Sequence, residues 1–311
     1  MTRFTITRRG LAVLAGSAAL LAAMPAMAKD KTFALVQINQ QALFFNQMNE
    51  GAEAAAKAAG DTLTIFNANN DPAAQNSAIE TFIQQKVDGI AVVAIDVNGI
   101  MPAVQQAADA GIPVVAIDAI LPEGPQKAQI GVDNGKTAAD IAAFYTGQLG
   151  DANKLGVVGA LNSFIQNIRK DEFLKVTDAT GKVEQVGVVD GQNVQDVALG
   201  AAENLLTANP DLTAIYATGE PQMVASVAAV QSQGRQDSVK VYGWDLTKSV
   251  IDGIDAGYVA GVVQQDPAGM GKAAVEALDK LTAGETVEAV ISVPATIVTK
   301  ENVDQFRDMF K

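Results

Sequence analysis

The 311-residue chain contains no cysteine and no histidine. Thiolate and imidazole metal sites are therefore impossible, as are Ser-His-Asp and Cys-His nucleophilic catalysis. Sites built from carboxylates, for calcium or magnesium, remain open. Aromatics are sparse: one Trp, four Tyr and 11 Phe. Positive charge is scarce too, with 22 Lys and Arg against 35 Asp and Glu. A strongly acidic chain is a poor partner for nucleic acid or an anionic membrane surface and suits a neutral ligand better than an anionic one.

Residues 1–28 read as an export signal, with Arg3, Arg8 and Arg9 ahead of an apolar stretch from Leu11 to Ala23. That stretch falls short of the roughly 20 residues a spanning helix needs, and Ala26-Met27-Ala28 is a small-x-small cleavage site. The Arg8-Arg9 pair resembles a twin-arginine signal, and an ordinary secretory signal fits equally. An uncleaved membrane anchor is the weaker alternative, because the apolar core is short. Loss of residues 1–28 leaves 19 basic and 35 acidic residues, a net charge of −16. These features predict an exported, soluble monomer outside the cytoplasm.

Beyond the signal, short Val/Ile-rich runs alternate with Ala-rich amphipathic stretches, the pattern of βαβ units around parallel sheets buried on both faces. Strands are expected at Phe33–Ile38, Thr62–Phe66, Gly89–Ala94, Pro113–Ile117 and Ala128–Gly131, then at Lys154–Val158, Lys182–Val188, Thr213–Ala217, Val239–Tyr242 and Gly261–Gln264. Helices are expected over 43–59, 73–86, 99–110 and 134–149, and over 164–178, 195–208, 221–234, 247–255 and 268–283. Gly60 and Gly111 sit at helix C-caps, and Asp71-Pro72 starts a helix. The repeated rhythm predicts an α/β protein of two doubly wound lobes. Ligands of such sheets bind beyond the carboxyl ends of the strands, so two facing lobes make a cleft there.

Polar and aromatic residues just after the strands are thus the candidate site: Gln37, Asn39, Gln40, Asp96 and Asp118 in the first half, and Asn162, Arg169, Glu220, Trp244, Asp245, Gln264, Gln265 and Asp266 in the second. Carboxylates, amides and one guanidinium match vicinal hydroxyls, and aromatic faces cover the C–H faces of a sugar. Each residue also has a plain structural role open to it. Phe44 and Phe45 can be core, and neighbours about 100° apart on a helix are expected to diverge. Trp244 can pack a lobe, Asp118 can cap a turn, Asp245 can N-cap a helix, and Arg169 can be a solvated helix charge. Gly269-Met270-Gly271-Lys272 lacks the spacing of a phosphate loop, so no cofactor is implied.

Taken together, several segments resemble the ribose-binding type of periplasmic binding protein, across residues 29–311. They are Phe33-Ala34-Leu35-Val36 with Phe44-Phe45, Asp88-Gly89-Ile90, Ala110-Gly111-Ile112-Pro113-Val114 leading to Asp118, Ile130-Gly131-Val132-Asp133-Asn134, Leu205–Asp211, Gly243-Trp244-Asp245, and Gln264-Gln265-Asp266-Pro267 with Gly271. The resemblance implies a three-stranded hinge, with crossings near Val132-Asp133, Gln265-Asp266 and Val293-Pro294. The N-terminal lobe is then 29–132 plus 266–293, and the C-terminal lobe 133–265 plus 294–311. It also implies that Phe44, Phe45 and Trp244 sandwich a sugar while Asp118, Arg169, Asp245 and Gln265 bind its hydroxyls. The implied partners are a small neutral sugar or polyol, an ABC permease and, in one reading, a chemoreceptor.

The chain departs from the ribose pattern at Ala42, Ala94 and Ala119, and around Gly219-Glu220, where polar groups are expected. Asn39, Gln40, Asn193 and Glu220 are the expected replacements, pointing to another sugar, a linear polyol or a cyclitol. Three alternatives remain. A LacI-type regulator shares the fold but needs a DNA-binding module where this chain has an export signal. A secreted glycosidase would use Asp118, Glu220 and Asp245 as paired carboxylates. A sensor component would bind a sugar or autoinducer and signal through a membrane partner.

Overall fold

In the computed structural model, residues 1–2, 30–150 and 153–310 are described. The export-signal reading, apart from Met1 and Thr2, lies outside them. Among the described residues no helix is long and apolar enough to cross a membrane.

The first sheet is built from β1 (Thr32–Gln37), β2 (Thr62–Asn67), β3 (Gly89–Val92), β4 (Val114–Ile117) and β5 (Ala128–Gly131). The second holds β6 (Lys154–Gly159), β7 (Glu184–Asp190), β8 (Ala214–Ala217), β9 (Lys240–Trp244) and β10 (Val259–Gln264). Two short late strands, β11 (Val290–Ser292) and β12 (Thr296–Val298), complete one sheet each. The strand orders are β11-β5-β4-β3-β1-β2 and β12-β10-β9-β8-β6-β7. All pairings are parallel except that of β12 with β10. The orders correspond strand for strand, so each half folds as the same doubly wound unit.

The helices are α1 (Leu43–Ala59), α2 (Pro72–Gln85), α3 (Met101–Asp109), α4 (Asn134–Thr146), α5 (Phe164–Asp178), α6 (Gln195–Ala208), α7 (Glu220–Ser232), α8 (Lys248–Ala256) and α9 (Pro267–Thr282). The central strands β3, β4 and β8 are buried along their whole length. That continuous burial is why they read as Val/Ile/Ala runs, interrupted only by Gly89 and Tyr216, with no polar alternation. In the first lobe α1 and α9 pack together on one face of the sheet and α2 and α3 together on the other. In the second lobe α4 pairs with α5, and α6 with α7.

Local chemistry sets the helix ends. Asp71 caps α2 by accepting from the N–H groups of Ala73 and Ala74, with Pro72 at the first helical position. Gly60 ends α1 at φ 83° in the left-handed region. Thr247 caps α8 through Val250 N–H, so the alternative of Asp245 as that cap does not hold. Pro267 opens α9, and Asp266 caps it.

Among the described residues the chain passes between the lobes three times: after β5 into α4, after β10 into α9, and between β11 and β12. α9 returns to the first lobe in close contact with α1. A Cβ on Gly271 would lie 2.0 Å from the Met48 carbonyl oxygen, and one on Gly51 2.0 Å from that of Ala268. Only glycine lets the two backbones approach so closely.

Candidate functional site

Two central strands, one per lobe, end in the same way. Asp118 follows β4 and Asp245 follows β9, both in the left-handed region at φ 60° and 71°. Aspartate tolerates that conformation better than most residues. Asp118 N–H donates to Ile130 O at 2.7 Å, and Asp245 N–H donates to Val263 O at 2.8 Å, each reaching the next strand. The same backbone device thus turns one carboxylate from each lobe out of its strand end into the gap between the sheets.

Arg169 on α5 occupies that gap and is 4 % exposed. Its Nε donates to Asn134 Oδ1 at 2.7 Å, its Nη1 to Thr218 O at 3.1 Å and its Nη2 to Gln265 Oε1 at 3.3 Å. Nη2 also lies 3.9 Å from Asp118 Oδ1 across the cleft, an ion pair too long for a hydrogen bond. Gln265 in turn donates to Asp245 Oδ1 at 2.8 Å. Asn134 and Gln265 flank the first and second chain crossings, so the guanidinium is fixed to both.

Trp244 lies under this network. The Arg169 guanidinium sits 3.7 Å over its ring, and its Nε1 donates to the Tyr216 hydroxyl at 2.8 Å. Tyr216 stacks on Phe173 with ring centres 3.7 Å apart, and Phe173 stacks on Tyr145. Trp244 is fully buried and is no wall of the cavity. The expectation that it faces a sugar is corrected: β9 extends through Trp244, whose side chain enters the lobe core, and the next residue, Asp245, is the one that reaches the cleft.

The remaining cleft residues form one cavity of about 440 Å³, its mouth included. From the first lobe come Ile38, Ala42, Phe44, Phe45 and Asp118. Arg169, Asp245, Gln265, Gln166, Asn193 and Glu220 come from the second lobe and its crossing. Phe44 and Phe45 meet edge to face with ring centres 5.3 Å apart, and both line the cavity while also joining the core. An adjoining space of about 510 Å³ shares Asp118 and Asn193 and extends past Asn70, Ala94, Ala119, Asn162 and Phe164.

Glu220 makes a different contact from the one expected of a replacement side chain. Its two carboxylate oxygens accept from Leu43 N–H at 2.9 Å and Phe44 N–H at 2.8 Å. Ala42, which precedes α1, offers no side-chain cap. A residue of the second lobe therefore caps a helix of the first, where the helix dipole favours negative charge.

Asn39 and Gln40 do not line the cavity. Asn39 accepts from Gln41 and Ala42 N–H and donates to Asn70, shaping the β1–α1 turn. Gln40 is exposed. Gln166, absent from the sequence-based set, lines the cavity, donates to Asn193 Oδ1 at 2.8 Å and accepts from Thr218. It lies three residues before Arg169 on α5 and so on the same face, which is the one sequence signal for it.

Burial dominates the electrostatics. It pushes Asp245 up to about 7, against the opposing pull of Arg169 and the Gln265 hydrogen bond. It also raises Asp118, against Arg169, and Glu220, against the two N–H groups of α1. Among the described residues no group of three or more acidic side chains is arranged to hold a metal ion.

Two like lobes, crossed three times by the chain and each supplying polar side chains to one cavity at its strand ends, define a receptor that encloses a small molecule between hinged halves. A family model described as the periplasmic binding protein domain matches residues 33–286, and the chain belongs to that family. The ribose import binding protein of Bacillus subtilis is 30% identical over 259 residues, 83% of this chain and 84% of that one. A solute-binding protein of an ABC transporter from Agrobacterium vitis, solved with bound D-fucose, is 26% identical with a TM-score of 0.84, covering 89% of this chain and 98% of that one. A periplasmic solute-binding protein from Actinobacillus succinogenes, solved with D-allose, is 25% identical with a TM-score of 0.82, covering 89% and 100%.

Proposed function

We propose that the protein is the exported, periplasmic solute-binding component of an ABC importer and that it captures a monosaccharide or polyol by closing its lobes. The observation that carries this reading is the single cavity to which Asp118 from one lobe and Arg169, Asp245 and Gln265 from the other all contribute. Carboxylates accept from hydroxyls, an amide both accepts from and donates to them, the guanidinium spans neighbouring oxygens, and the Phe44-Phe45 edge supplies the apolar wall. A ligand touching both lobes binds the closed form better and shifts the population towards it. The closed surface is then what a permease reads. The relatives carry different sugars on one fold, so the ligand is set by cavity side chains and not by architecture.

Differential scanning fluorimetry across pentoses, hexoses, polyols and cyclitols, followed by isothermal titration of the hits, tests the reading. A ligand at about 100 times its dissociation constant adds about 2.7 kcal/mol of stability and visibly raises Tm. Absence of any shift across the panel overturns the proposal, as does turnover of a glycoside substrate by the protein.

A further inference from the structure

One buried side chain of the Arg169 network is no wall of the cavity or of the adjoining space. Asn134, the first residue of α4, is 1 % exposed and lies just past the first crossing. Its Oδ1 accepts from Arg169 Nε at 2.7 Å, the shortest of the three hydrogen bonds the guanidinium makes and the length of a charge-assisted one. Its Nδ2 donates to Val132 O at 3.1 Å, on the other side of the crossing. That second bond sets the direction of the amide: reversed, it would put N–H against N–H and oxygen against oxygen. A pull in another direction comes from Asp118. Its Oδ1 is buried, accepts no hydrogen bond and lies 3.9 Å from Arg169 Nη2 across the cleft. Opposite charges so close and so little hydrated attract strongly. Yet the acceptors that hold the guanidinium, on Asn134, Thr218 and Gln265, are all neutral.

We infer that Asn134 is a positioning residue: by holding Nε from the first crossing it keeps Arg169 over Trp244 and off Asp118, so that ligand hydroxyls, and not a direct ion pair, join the two charges. The effect on affinity rests on the reading of the cavity as a sugar or polyol site. Without the Asn134 oxygen the buried Nε–H loses its acceptor, which is costly. The guanidinium then gains by moving to Asp118, where a charge-assisted hydrogen bond replaces the lost one. That movement takes it off the Trp244 ring, now 3.7 Å below it, and closes the space between the two lobes' charged groups. A neutral amide suits the task better than a carboxylate, because it fixes the guanidinium without cancelling its charge.

Trp244 is the one Trp of the chain, so its fluorescence reports whether the guanidinium lies over it. Emission of the empty protein is compared for wild type, Arg169→Met, Asn134→Leu and Asn134→Asp, the last of which keeps an oxygen for Nε. Asn134→Leu is expected to shift the emission most of the way to that of Arg169→Met, and Asn134→Asp to leave it near wild type. Adding Asp118→Asn to Asn134→Leu removes the pull and is expected to bring the emission back. Isothermal titration with D-ribose, D-allose and D-fucose is expected to show the best binder weakened about tenfold by Asn134→Leu. Wild-type emission in Asn134→Leu, or no return on adding Asp118→Asn, overturns the inference, and so does an unchanged dissociation constant. An Asn134→Asp emission like that of Arg169→Met also overturns it, and this variant decides alone if Asn134→Leu melts early. If none of the three sugars binds the wild type, the sugar reading loses support while the emission pattern still decides the role of Asn134.

Discussion

Arg169 and Trp244 divide the work expected of a cleft in an instructive way: the cation faces the cavity, and the aromatic lies beneath it as a platform. The Trp244→Phe variant removes the donor to Tyr216 and part of the surface under the guanidinium. It is expected to cost about 1–3 kcal/mol in denaturant unfolding and to weaken ligand binding, since Arg169 loses its seat. Unchanged affinity would assign Trp244 to the core alone. Asp245 makes a second residue-level prediction. Its folded value, raised by burial to about 7, lies well above the ordinary 3.8. The folded state therefore holds the proton more tightly, and the associated stability is fully present below about pH 4 and lost as pH rises through about 7. The empty protein should lose Tm between about pH 4 and pH 7, and Asp245→Asn should flatten that slope. At this scale the sequence disclosed Asp118, Arg169, Asp245 and Gln265, because each follows a strand end or faces the cleft in the family pattern. It could not disclose that the Trp244 ring turns inward, because an apolar residue at a strand end can belong to either side. Gln166 was hidden because a glutamine on an Ala-poor helix face has no distinctive pattern of its own.

The helix α1 is held at its start and at its middle by residues far from it in sequence. Glu220 caps its start from the other lobe, and Gly271 on α9 lets the middle of α1 come into backbone contact. Gly271→Ala places a Cβ 2.0 Å from a carbonyl oxygen and is expected to destabilise the first lobe by about 1–3 kcal/mol, read from the urea midpoint. Glu220→Gln removes the charge that holds the α1 N-terminus across the cleft. It is expected to raise the radius of gyration of the empty protein in small-angle scattering by favouring open lobes; an unchanged radius would mean that the contact does not bias closure. Most element bounds were legible: α1, α5 and α6 fall at their sequence-based limits, because a cap or glycine marks an end or the periodicity is long. The strands β11 and β12 were not. Each has three residues, carries no long apolar run and sits at a sheet edge, so only tertiary pairing defines it.

For the whole molecule, the two sheets with corresponding strand orders are the feature from which function follows. Matching orders place matching strand ends opposite each other, and that puts Asp118 and Asp245 in one cavity although 126 positions of chain separate them. The alternation of apolar runs made the two-lobe plan readable. The cavity was readable only in part, because which side chains meet across the gap depends on the angle between lobes. The most direct test of the account is native mass spectrometry of the protein purified without unfolding, with the released small molecule identified. The account predicts a one-to-one adduct of a polyhydroxylated molecule that is lost in Arg169→Ala. An adduct retained in that variant, or a bound molecule without hydroxyl groups, would contradict it.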